Sequence, residues 1–135
     1  MNTARFPIPA SLARLGARLS IDTESWKARG RLALRVDGYP RLSLRPARGE
    51  SLELQARLRP LPTPAREREL LIDALMLRVT AHAATHVAVP TLSPDGEHLL
   101  LQATLSEEGP RTVEEGFESF LNDLDYWTAV LKELA

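Results

Sequence analysis

The chain has 135 residues, 44% hydrophobic and 26% charged, so one soluble domain spanning residues 1–135, with one core of ordinary size, is expected. No apolar run approaches the roughly 18 residues of a membrane span, and residues 1–10 hold two prolines and no apolar block of a secretory signal. The absence of cysteine excludes disulfides, thiol catalysis and the common structural zinc sites, and suits a reducing cytoplasm.

The net charge of −1 hides an asymmetry. Residues 1–60 carry twelve Lys/Arg and five Asp/Glu, whereas residues 61–135 carry five and thirteen. Either one half faces a partner of opposite sign, or the two halves attract each other within a monomer or across a dimer.

The first apolar rhythm, Ile8, Leu12, Leu15 and Leu19, steps by four, three and four, which is one stripe of an amphipathic helix entered through Pro7 and Pro9. A polar stretch follows, ending at Gly30. From Arg31 the period becomes two. Leu32, Leu34 and Val36 alternate with charged or small residues, and Asp37-Gly38 supplies a hairpin turn. Leu42 and Leu44 repeat the pattern, and after a turn at residues 46–49 so do Leu52, Leu54, Ala56 and Leu58. Three short strands joined this way form an antiparallel meander with one apolar and one charged face.

The prolines at 60, 62 and 64 break the sheet and lead into a second helix over residues 65–83. Two stripes run along it: Leu70, Ala74 and Leu77 on one side, and Ile72, Met76 and Val79 on the other. A helix apolar on two faces is covered on two sides, so the chain's own sheet takes one and a second subunit the other. Val87 and Val89 indicate a fourth strand, residues 93–96 a turn, and residues 98–105 a fifth strand with Leu99, Leu101, Ala103 and Leu105 on one face. Thr112 and Glu115 form a capping box at the head of the last helix. Along it Val113, Phe117, Phe120, Leu124, Trp127, Leu131 and Leu134 recur at steps of four and three. The fold class is α+β, in the order helix, three antiparallel strands, helix, two strands, helix.

No motif calls for an enzyme, so no catalytic residue, cofactor or metal is assigned. The serines lie in no nucleophile-elbow setting, and the seven glycines make no phosphate loop. His82 and His86 stand at i, i+4, with His98 and Glu97 as conceivable third ligands, yet the residues between them depart from the zinc-protease motif. Histidine at a helix end serves the helix dipole equally well. Acidic pairs at 107–108 and 114–115 likewise complement the start of the last helix. Arg31, Arg35, Arg41, Arg45 and Arg57 on the meander make a small basic-faced nucleic-acid binder an alternative, but Tyr39 alone supplies an aromatic there. Protein binding fits better, because open sheet edges accept an extended strand from another chain.

The element order across residues 8–134 resembles the class I type III secretion chaperones, the Tir-chaperone-like family. The resemblance is carried by the turn at Ser93, Pro94, Asp95 and Gly96, the apolar strand from Leu99 to Leu105, the final helix from Phe117 to Trp127, and the opening Leu12-Ala-Arg-Leu-Gly16. It implies a small bacterial cytoplasmic homodimer, with no enzymatic activity and no ATP, that holds the N-terminal segment of a secreted effector in extended form. The segment thereby stays soluble and export-competent. A regulatory protein captured by the same fold, coupling secretion to transcription, is the alternative partner; neither membrane nor nucleic acid is expected. Carried onto this chain, the resemblance implies Leu70, Ile72, Met76, Val79 and Val87 at the dimer interface. It implies Ile8, Leu12, Leu32, Leu34, Leu42 and Leu44 at the client surface. One departure stands out: such chaperones are acidic, whereas this N-terminal half is basic, which points to an acidic partner segment.

Overall fold

The computed structural model describes residues 8–19, 23–49, 51–82, 88–106 and 112–134. The first stripe becomes helix α1 (Ala10–Leu19), opened by Pro9, whose carbonyl accepts the Ala13 N–H at 3.0 Å. Leu12 and Leu15 are fully buried beneath it. The polar stretch that follows holds an element the periodicity does not reveal, the short helix α2 (Glu24–Arg29). Trp26 drives it, buried to 1% exposure, and Gly30 ends it at φ 71°, its N–H donating to the Trp26 carbonyl at 2.8 Å. A left-handed cap of this kind suits glycine, which has no Cβ to clash.

The period-two runs become β1 (Leu32–Leu34), β2 (Leu42–Pro46) and β3 (Leu52–Pro60), paired antiparallel with Leu32 opposite Leu44 and Leu44 opposite Leu54. β1 stops at Leu34, two residues short of the alternation. Val36 lies instead in the turn, where its carbonyl accepts the Tyr39 N–H at 3.0 Å. The chain then leaves the sheet for α3 (Ala65–Ala81) and returns as β4 (Val89–Leu92) and β5 (His98–Leu105). β5 docks on β3, giving the order β1-β2-β3-β5-β4 with every pair antiparallel. The expected element order therefore holds, with α2 added.

Helix α4 (Val113–Leu134) crosses the inner face of the sheet against β3 and β5, with α1 and α3 beside it and α2 against β1. Its cap forms as the sequence requires: the Glu115 N–H donates to Thr112 Oγ1 at 3.1 Å, and the threonine hydroxyl lies 3.2 Å from the Glu115 carboxylate. Gly116 allows the close approach to the sheet, since a Cβ there would stand 2.8 Å from Leu105 Cδ2. Below it Phe117, Phe120, Leu124, Trp127 and Leu131 pack on the inward leucines of the strands. Each such side chain contributes about 1.5–3 kcal/mol through burial.

Two polar ties fix loops to α4. Tyr39, in the β1–β2 turn, donates its hydroxyl to Asp125 at 2.9 Å. That hydrogen bond to a carboxylate raises the phenol above its ordinary range, so the tie holds at neutral pH and is lost as pH rises through the raised value. Asp123, buried on α4, accepts the Ala88 N–H at 3.1 Å and anchors the entrance to β4. Asp123→Ala leaves that buried amide unpaired, with an expected loss of about 1–3 kcal/mol in urea unfolding. A loss below about 0.5 kcal/mol would show that water replaces the carboxylate.

Candidate functional site

The large apolar side chains left exposed among the described residues all lie on two elements, α3 and β4. On α3 these are Leu70 (56% exposed), Met76 (56%) and Leu77 (75%), and on β4 Val89 (45%) and Leu92 (51%). Leu70 and Met76 are thus both exposed, although the sequence places them on opposite stripes of the helix. Ile72 and Val79 are not: both are half-buried and packed against the core. The stripe that seals α3 to the domain is Leu71 and Leu75, both buried. Val87 lies outside the described residues. Leu77, Val89 and Leu92 belong to the exposed set without having been singled out; the signal for Leu77 was its place on the Leu70 stripe.

The leucines assigned to client binding require correction. Leu12, Leu42 and Leu44 have no exposed surface, and Leu32 and Leu34 no more than 5%. They form the core between the sheet and its helices, and no partner reaches them while the domain is folded. Ile8 is half-buried and packs against the same core.

The accessible face of the sheet is the opposite one, and it is polar. Residues paired across neighbouring strands share a face, so Ala33, Ser43, Gln55, Gln102 and Val89 form one row from edge to edge. At its centre Gln55 donates to Gln102 at 3.0 Å. Beside this row lies a cleft of about 720 Å³, whose lining includes Arg41 of the β1–β2 connection, Arg57 of β3, Leu100 and His98 of β5, and Ser93 to Asp95 of the β4–β5 turn. Arg57 stands opposite Leu100, and Arg41 one position beyond the Leu42–Ala56 pair, so the residue just before β2 comes level with Arg57 of β3. Asp95 bounds the cleft. The Ser93 hydroxyl and the Glu97 N–H both donate to its carboxylate, and these bonds, with weaker help from His98 and Arg57, hold it below the usual carboxylate range.

The other sequence candidates separate. His82 is half-buried, its ring edge-on to Tyr126 at 5.5 Å, while His98 lies across the sheet in the cleft and His86 falls outside the described residues. Among the described residues no group of three His, Asp or Glu side chains is placed to hold a metal. The basic face is also less free than its composition suggests, because Arg45 pairs with Glu53 through Nε at 2.8 Å and through a second guanidinium nitrogen. Tyr39, engaged with Asp125, is no stacking platform for bases.

The fold recurs in solved complexes. One chain of the heterodimeric ExoU–SpcU complex from the type III secretion system of Pseudomonas aeruginosa superposes with a TM-score of 0.60 at 22% identity, covering 95% of this chain and 97% of that one. A chain of the Yersinia pestis complex of the type III secretion chaperone SycH with a stable fragment of YscM2 gives 0.58 at 20% identity, over 93% and 99%. A chain of the HopA1–SchA chaperone–effector complex gives 0.57 at 15% identity, over 86% and 88%. No curated protein matches by sequence. A model of the Tir chaperone protein (CesT) family matches residues 11–127, from the first turn of α1 well into α4. Most of the chain lies within that match, and the chain belongs to the Tir chaperone protein (CesT) family.

Proposed function

We propose that this protein is a type III secretion chaperone, a bacterial cytoplasmic homodimer that binds the N-terminal segment of an effector in extended form and keeps it soluble and export-competent. The observation that carries this reading is the family match over residues 11–127. The likeness to a chain of a chaperone–effector complex supports it. No step requires catalysis, ATP or a cofactor; binding an unfolded segment needs only accessible strand edges and side-chain pockets. The exposure of Leu70, Met76, Leu77, Val89 and Leu92 in the single chain supports a dimer interface on α3 and β4. Apolar surface of this kind is what a second copy of the chain would cover.

The test is co-expression with the N-terminal segment of a candidate effector. The segment, insoluble alone, is expected to become soluble and to co-elute with two copies of the chaperone while staying sensitive to protease between its contact points. Failure of every candidate segment to co-elute would sink the reading. Recovery of a transcriptional or signalling protein in the effector's place would move the assignment to a regulatory role on the same fold.

A further inference from the structure

We infer that the cleft on the outer face of the sheet is a docking site for an acidic, extended segment of the client, with a carboxylate seated between Arg41 and Arg57. The inference rests on the chaperone reading and adds to it the chemistry of the bound segment and its place. Both arginines are exposed and line the same cleft, Arg57 from β3 and Arg41 from the position just before β2. Among the described residues neither makes a salt bridge, and the acid whose field Arg57 feels is Asp95, at the turn end of the cleft. Two like charges on one cleft repel each other, Asp95 offsets them only from the turn end, and a carboxylate between them relieves the rest while accepting charge-assisted hydrogen bonds. Arg45, farther along β2, shows the contrast, since Glu53 already neutralises it.

The surroundings suit a peptide in extended form. The floor offers Gln55 and Ser43 as hydrogen-bonding groups and Leu100 as an apolar seat. An extended segment presents alternate side chains to one surface about 7 Å apart, a spacing that lets an acidic and an apolar residue reach the arginines and the leucine in turn. Asp95 gives the site a direction. Its carboxylate, fixed by the Ser93 hydroxyl and the Glu97 N–H, repels acid from the turn end, so the anionic seat between Arg41 and Arg57 lies away from the turn.

The chain's own acids are poor competitors for this seat. Glu114 pairs with Arg14 at 3.6 Å, Glu133 with Arg78 at 3.3 Å, Asp125 accepts from Tyr39, and Asp123 from Ala88. These four acids of the C-terminal half are engaged on α4, away from the basic sheet face, which is left for a ligand from outside. Nucleic acid fits less well, because among the described residues no exposed aromatic side chain lines the cleft to stack a base.

The test uses the full chain and a short fluorescent peptide alternating glutamate and threonine, with a matched peptide carrying glutamine for glutamate. Fluorescence anisotropy at low ionic strength is expected to show the glutamate peptide binding about tenfold tighter, with the advantage fading at high salt. The double variant Arg41→Glu/Arg57→Glu is expected to erase the advantage, the Arg41→Lys/Arg57→Lys pair to keep most of it, and Arg48→Glu, on the β2–β3 turn outside the cleft, to change it less than about twofold. Equal binding of the two peptides overturns the inference, as does an Arg48→Glu loss as large as that of the double variant. Displacement of the peptide by a single-stranded oligonucleotide through the same arginines would reassign the cleft to nucleic acid. An effector complex recovered at full yield with the double variant overturns the site and leaves the chaperone reading intact. Arginine-dependent binding of the glutamate peptide by a protein that recovers no effector supports the acidic site and sinks the chaperone reading alone.

Discussion

Met76→Glu is expected to halve the solution mass of the protein, from twice the 15.0 kDa of one chain to that of one chain, in light scattering coupled to size exclusion. In the isolated domain Met76 is 56% exposed, so a carboxylate there meets water and the fold loses less than about 0.5 kcal/mol. At an interface between two α3 helices the same carboxylate is buried without a partner, at several kcal/mol. Twofold symmetry applies that cost twice, because each copy contributes the residue. Leu77→Glu, at the most exposed apolar position of the helix, is expected to act in the same way. A dimeric mass retained in both variants removes α3 from the interface, and a monomeric wild-type protein removes the dimer itself.

Trp26→Ala is expected to cost about 3–5 kcal/mol in urea unfolding, a large share of the roughly 5–15 kcal/mol available to a domain. Trp26 is one of the largest fully buried side chains and the one buried residue of α2. A helix of six residues does not persist on its own propensity, so its position depends on that single anchor. Because α2 lies against β1, the backbone amides of β1 are expected to lose hydrogen-exchange protection before those of β3 and β5. A loss below about 1 kcal/mol would mean that the cavity collapses and that α2 contributes little to the fold.

These two residues mark the limits of what the sequence discloses. The strands were legible because one-sided burial imposes period two over several consecutive positions, and the last helix because seven apolar positions at steps of three and four leave little alternative. α2 was not legible, since one tryptophan in six residues has no period. On α3 the run Leu70, Leu71, Ile72 permits several stripes. Which of them faces inward is decided by α4, through contacts that local pattern does not contain. The client surface failed for a related reason. Alternation identifies Leu32, Leu34, Leu42 and Leu44 as sharing a face but is silent on whether that face is covered. The long apolar stripe of α4 must be buried against something, and the inner face of the sheet is what it covers. Charge showed the opposite limitation: composition reports a basic half, while only the register sets Arg45 opposite Glu53 and so shows where a positive charge is neutralised.

That register carries a further consequence at the end of β3. Its pairing with β5 shifts between Arg57, opposite Leu100, and Arg59, opposite Leu99, so Leu58 is an inserted residue. Leu58 and Arg59 consequently both line the crevice against α4, beside Thr128 and Leu131, instead of alternating across the sheet. Without the insertion Arg59 would follow Arg57 onto the outer face as a third cation at the mouth of the cleft. One extra backbone unit thus acts as a sorting gate, sending one positive charge to the recognition face and the next to the helix behind it, and the valence of the surface is set by chain geometry as much as by its amino-acid content.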